Sequence, residues 1–202
     1  MRGERLVFLD VDTQVDFMLP GGALYVPGAE AIIPNLRQLM EYAAARHLLV
    51  FSSADAHAID DASFSLWPPH CIVGTPGQRR VPETQFPAPL VIRNQPGSFQ
   101  PPLPAAGQVV IEKIDYDVSS NPNFDALVAA LGPSRFAVFG VATEYCVRAS
   151  VLALRDRGFS VDLVTDAVRG ITAEGHHKAL QELAAAGVRL VTTTSVFAGS
   201  SV

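Results

Sequence analysis

Apolar positions along the chain follow two periods. Six short apolar runs read as buried strands: "LVFLDV" (6–11), "LLVFSS" (48–53), "VVIEK" (109–113), "RFAVFGV" (135–141), "FSVDLVTDAV" (159–168) and "VRLVTTT" (188–194). Between them the period lengthens to that of a helix. "GAEAIIPNLRQLMEYAAARH" (28–47) sets Ile32, Leu36, Leu39 and Tyr42 on one face, and Pro34 predicts a late start or a kink. "FDALVAALG" makes a short helix that stops at Gly132. "EYCVRASVLALRDR" puts Val147, Val151 and Leu154 on one face, with Thr143 as its cap and Gly158 as its stop. "AEGHHKALQELAAA" follows Thr172 as a cap and ends at Gly187. Continuous apolar strands alternating with helices predict a three-layer αβα fold around a mostly parallel, Rossmann-like sheet of about six strands.

One segment breaks the rhythm. Residues 54–108 hold ten of the chain's fifteen prolines and show little periodicity. A run that long without its own pattern, starting at the carboxyl end of a strand, is where an α/β fold places a site. With 202 residues the chain suits a single domain, 1–202, that carries this loop region. A net charge of −5 leaves no basic surplus for phosphate, so nucleic acid is not an expected partner. No apolar run approaches the roughly 18 residues that cross a bilayer, and "MRGERLVFLDVD" does not read as a signal peptide. The expected compartment is the cytoplasm, where Cys71 and Cys146 stay free thiols.

Cys146 lies just after the strand 135–141, at the third position of the next helix. A helix N-terminus favours a thiolate, and its amides can hold an oxyanion; a buried structural cysteine is the other reading. "FLDVDTQVDF" supplies Asp10, Asp12 and Asp16, and strand alternation puts Asp10 and Asp12 on one face, with Asp12 at the tip. Lys113 ends another strand. A thiol, a carboxylate and an ammonium at three strand ends suit a nucleophile, its base and an electrostatic group. In "SSADAHAIDDASFSLWPPHC", Asp55 and His57 alternate to one side and His70 can return to them. Read alone they are a polar surface or ligands for zinc, iron or manganese. Cys71 is adjacent to His70 and reads as a further ligand or as structural, the latter favoured because neighbouring side chains need not face the same way, and His176 and His177 read as solvated.

The order "DTQVDF", "DAH", "WPPHC", a strand-end lysine and "GVATEYCV", from about Leu6 to Thr194, resembles the nicotinamidase/pyrazinamidase branch of the isochorismatase-like cysteine hydrolases. The resemblance implies that fold and the following roles. Cys146 is the nucleophile, Asp12 the proton carrier and Lys113 the third member. Asp55, His57 and His70 are ligands of one divalent ion per subunit, Zn²⁺, Fe²⁺ or Mn²⁺. Phe17 and Trp67 are aromatic walls for a flat ring. The amides of Ala142 and Cys146 form the oxyanion hole, and the Val141–Ala142 peptide is cis. It further implies a metal-dependent cysteine amidase releasing nicotinate and ammonia from nicotinamide in NAD salvage, and it leaves a homo-oligomer open. Two departures stand out. Ser63 falls near the place of a further histidine ligand of many relatives, and "YDVSSNPNFDAL" replaces their Tyr-Ser-x-Phe segment. Tyr145 stands where a histidine is common before the nucleophile. The alternatives are a sister hydrolase acting on another small amide, ureido or carbamoyl compound, a metallohydrolase whose metal-bound water attacks directly, and a binding module without turnover.

Overall fold

The structure is a computed structural model that describes residues 4–132 and 134–198. Seven strands form one sheet: β1 (Arg5–Val11), β2 (Leu49–Asp55), β3 (Leu90–Ile92), β4 (Gly107–Lys113), β5 (Ser134–Val141), β6 (Ser160–Arg169) and β7 (Arg189–Val191). Their order across the sheet is β3-β4-β2-β1-β5-β6-β7, and every adjacent pair is parallel. Among the described residues six α-helices accompany them: α1 (Val15–Met18), α2 (Ile33–Ala45), α3 (Phe124–Leu131), α4 (Arg148–Asp156), α5 (Ala173–Ala185) and α6 (Thr193–Ala198). No described helix is long and apolar enough to cross a membrane.

Each central strand is apolar on both sides because both sides are covered. Val7, Leu9 and Val11 pack with Phe124, Leu127, Val151, Leu154 and Leu183, so α3, α4 and α5 cover one face. Phe8, Val50, Ala137 and Phe139 pack with Leu36, Leu39, Met40 and Val196, so α2 and α6 cover the other. Pro34 lies in the first turn of α2, where its missing N–H costs nothing, after a 3-10 turn over Ala29–Ile32. The late start is realised and no kink is needed.

The seventh strand is the one the sequence pattern passes over. Leu90–Ile92 is only three residues long and sits on the sheet edge, with Leu90 and Val91 exposed. It lies inside the segment read as a loop and pairs with Val109–Ile111 of β4. β2 also runs two residues past its apolar run, so Asp55 is a strand residue and not a loop residue. At the other helix entries, Thr172 caps α5 by accepting from the Gly175 N–H at 2.9 Å. Thr143 does not cap the helix after β5. It is the first residue of a π-helical turn, Thr143–Val147, that precedes α4, and Ala142 is the N-cap.

The chain runs outward from β1 to β2 on one side and returns to β5 on the other, so the strand order reverses between β1 and β5. The carboxyl ends at such a switch point open a crevice. Gly140 lets the two strands meet there. Its φ is +119°, and a Cβ on it would collide with the Val11 carbonyl.

Candidate active site

Asp12 directly follows β1, Asp55 ends β2, Lys113 ends β4, and Cys146 lies in the turn after β5. β2 and β4 are hydrogen-bonded in a register that makes Asp55 and Lys113 direct partners. The Lys113 ammonium is fully buried and binds an oxygen of each carboxylate: Oδ1 of Asp55, and Oδ2 of Asp12 at 2.8 Å. It also lies 3.7 Å from the Cys146 sulfur. One cation therefore touches both acids and the thiol.

Asp10 and Asp12 do not share a face. Asp12 has a left-handed φ of +49°, which breaks the strand alternation. Its Oδ1 accepts from Ser53 Oγ at 2.6 Å. Asp10 instead accepts from Ser52 Oγ, on the opposite side of β2, and is paired with the buried Arg80. The kink thus sends Asp12 toward Lys113 and leaves Asp10 a structural acid.

Burial pushes the Asp12 carboxyl up, with Lys113 opposing and Asp55 adding to the rise. Burial also works against a charged Asp55, but the Lys113 ammonium beside it holds it far below the ordinary carboxylate range. Burial lifts the Cys146 thiol well above its usual value, and the two carboxylates add to that against Lys113. Desolvation and two negative neighbours thus oppose the thiolate that one ammonium and a helix N-terminus favour, and Asp12 lies beside the thiol as a proton acceptor. Apart from its ion pair, Asp12 Oδ2 has no hydrogen-bond partner and stays open to a proton.

Asp55, His57 and His70 are all buried, and their ligand atoms lie within 4.8 Å of one another. Backbone bridging between His57 and Ile72 draws the returning loop alongside. Nε2 of each imidazole is 3.6 Å from Asp55 Oδ2. His70 Nδ1 lies 2.7 Å from the Pro68 carbonyl, which can only accept, so Nδ1 carries the proton and Nε2 of the neutral ring keeps its lone pair. His57 Nδ1 is taken by Asp61 Oδ2 at 3.0 Å, and Asp61 is held down to about 2 by hydrogen bonds from Ser63 and His57. A lone pair facing a carboxylate oxygen is unfavourable unless a cation lies between them. The donor set and its outer hydrogen bonds fit a zinc-like divalent ion.

Ser63 is committed elsewhere, with N–H and Oγ both donating to Asp61 Oδ1. Cys71 is buried and outside the donor cluster, and its N–H donates to Asp16 Oδ2 at 2.7 Å. That bond, with one from the Ala23 N–H, makes Asp16 a loop anchor and not a solvated acid. His176 is half-buried, with Nδ1 2.9 Å from Thr143 Oγ1, so only His177 is the surface histidine expected of both.

A pocket of about 430 Å³ opens over these groups, lined by Asp12, Phe17, Asp55, Trp67, His70, Ala142 and Cys146, among others. Phe17 leans on His70 with ring centroids 5.4 Å apart. The Val141–Ala142 peptide is cis. The Ala142 carbonyl accepts from the N–H of Tyr145 and of Val147 and steps over that of Cys146.

Residues 6–195 match the isochorismatase domain family. The chain belongs to that family. It is 29% identical over 203 residues to the nicotinamidase of Escherichia coli, a match covering 90% of this chain and 92% of that one. It is 28% identical over 188 residues to the nicotinamidase/pyrazinamidase of Mycobacterium tuberculosis, covering 90% and 95%. Its fold superposes on the pyrazinamidase of Pyrococcus horikoshii in complex with zinc with a TM-score of 0.79 at 31% identity, covering 93% and 99%. The chain is accordingly a hydrolase, similar over nine-tenths of its length to enzymes that are amidases.

Three contributors escaped the sequence reading. Gln14 is fully buried and grips the Asp55 backbone twice, donating to its carbonyl and accepting from its N–H, each at 2.8 Å. Asp61 orients His57. Tyr116 lines the pocket rim from the loop after β4. "DTQVDF" and the acidic pair in "AIDDAS" were visible signals for the first two, and Tyr116 opens "YDVSSNPNFDAL", the segment that departs from the family pattern.

Proposed function

We propose that this protein is a metal-dependent cysteine amidase that hydrolyses nicotinamide, and pyrazinamide with it, to the acid and ammonia through a thioester, in cytoplasmic NAD salvage. The observation that carries this reading is the shared Asp55. One of its oxygens meets the Lys113 ammonium beside Asp12 and Cys146, and the other faces two imidazole Nε2 atoms. Chemistry and substrate anchoring are thereby fixed to one carboxylate at the base of an aromatic-walled pocket.

Asp55, His57 and His70 would hold the ion, which supplies a Lewis-acidic anchor for the ring nitrogen of the substrate. Phe17 and Trp67 flank the ring and hold the carboxamide over Cys146. Asp12 takes the thiol proton as sulfur attacks the carboxamide carbon. The N–H groups of Ala142 and Cys146 receive the oxyanion. Asp12 returns its proton to the departing ammonia, then takes one from the water that cleaves the thioester. Lys113 keeps Asp12 in place and balances its charge throughout. The direct test is ammonia release from nicotinamide. It should vanish on chelation and return when zinc, iron(II) or manganese(II) is restored; release that survives complete chelation refutes the metal dependence.

Two further outcomes follow from the same geometry. Asp61→Ala should weaken zinc binding roughly 10- to 100-fold in a chelator competition, because His57 loses the partner that fixes its tautomer and orientation. Unchanged affinity would remove Asp61 from the site. The base must be deprotonated to act, and burial raises its pKa. The acid limb of the kcat/KM profile should therefore lie above the ~3.9 of a free aspartate. A limb at or below that value would argue against Asp12.

A further inference from the structure

Trp67, Tyr116 and Tyr145 reach the pocket from three separate segments: the loop after β2, the loop after β4 and the π-helical turn after β5. Trp67 Nε1 donates to the Tyr116 hydroxyl at 2.8 Å, which joins two loops across the rim. Tyr145 braces both rings. Its centroid is 5.6 Å from that of Trp67, edge-on at 88°, and 5.4 Å from that of Tyr116. Tyr116 is 41% exposed, whereas Asp12 and Lys113 at the base are fully buried. Phe17, Val26 and Val141 also line the pocket and are buried in the core, whereas the Trp67–Tyr116 pair lies in exposed loops. Any substrate wider than the gap must therefore displace the aromatic side.

We infer that the Trp67–Tyr116 hydrogen bond, braced by Tyr145, is a size-selecting gate, with Tyr116 as a specificity-determining residue. The gate admits a flat single-ring carboxamide and rejects a fused-ring or ring-substituted one. Tyr145 neighbours Cys146 in sequence, so the brace ties the rim to the proposed nucleophile. The rim belongs to loops and the hydrogen bond is solvent-accessible, so its contribution to folding is small. Its consequence is felt in which ring fits. This inference deepens the amidase reading and rests on it for the reacting group.

The test compares wild type, Tyr116→Phe and Tyr116→Ala with nicotinamide and quinoline-3-carboxamide, its benzo-fused analogue. Two readouts are taken: kcat/KM for ammonia release, and fluorescence titration of Trp67, the chain's one tryptophan. Tyr116→Ala should move the kcat/KM ratio toward the fused ring by roughly 10-fold or more, the scale at which pockets discriminate small steric differences. Tyr116→Phe keeps the ring but loses the hydrogen bond, and should move it about 2- to 10-fold. If both variants keep the wild-type ratio, the gate is refuted. If wild type hydrolyses neither amide, the amidase reading fails, and the fluorescence titrations decide the gate separately. The same shift in the affinity ratio upholds it. An unchanged ratio, or no binding of either ring, overturns it.

Discussion

Cys146→Ala should lower kcat for nicotinamide by about 10⁴-fold or more, while the protein stays folded and retains its metal. The thiol sits at the foot of the pocket, 3.7 Å from Lys113 and beside an acid with one oxygen open to a proton. Every covalent step of the proposed route needs that sulfur. The competing route, in which metal-bound water attacks the amide directly, needs only the Asp55, His57 and His70 cluster, and predicts activity within a few-fold of wild type. Ammonia release by the variant, read beside its zinc content and its melting curve, separates the two. A second signature is independent of the substitution. A thioester partitions to hydroxylamine, so wild type supplied with that nucleophile should form the hydroxamate of the acid, and Cys146→Ala should not. Wild-type-like turnover in the variant, or no hydroxamate from wild type, would eliminate the thioester route.

The parts of this site legible in the sequence are those that local rules specify. Apolar runs ending at "DVD" and "EK" put an acid and a lysine at strand tips, and a parallel sheet brings strand tips to one end, whereas Asp55 lies two residues past the apolar run "LLVFSS". Alternation likewise set Asp55 and His57 on one side, and Gly158 and Gly187 as stops, with Thr172 as a cap, bounded α4 and α5. What failed depended on tertiary register or on single backbone angles. β3 is three residues of edge strand paired with β4, too short for any periodicity to mark it. The pairing of Asp55 with Lys113 joins strands separated by the proline-rich segment and cannot be read from either. The left-handed φ of Asp12 inverts its side chain relative to Asp10, and nothing in "LDVDTQ" announces it. The upward push on the thiol is likewise invisible in sequence, where the helix end can be seen but burial and two acid neighbours cannot.

Lys113→Met should destabilise the chelated protein by about 3–5 kcal/mol, since the substitution leaves two buried carboxylates facing each other without their cation. For a chain of this length that is roughly a 10 °C fall in melting temperature. The size of the effect follows from geometry. Lys113 is fully buried, its carbon stem replaces core volume that methionine can refill, and only the charge is lost. The deficit should shrink on acidification. Burial and Asp55 already push the Asp12 pKa up, and removing Lys113 pushes it higher still, so lowering the pH protonates Asp12 and removes the uncompensated charge. The wild-type protein gains less, because there the ammonium opposes the rise of the Asp12 pKa. For the same reason Asp12→Asn added to Lys113→Met should recover part of the lost stability without recovering activity, giving a large coupling energy in a double-mutant cycle. Urea unfolding of the four proteins at neutral and acidic pH provides the measurement. A Lys113→Met protein as stable as wild type, or a deficit independent of pH with no coupling to Asp12, would mean that Lys113 does not hold the two acids together, and the electrostatic core of the proposed mechanism would fall with it.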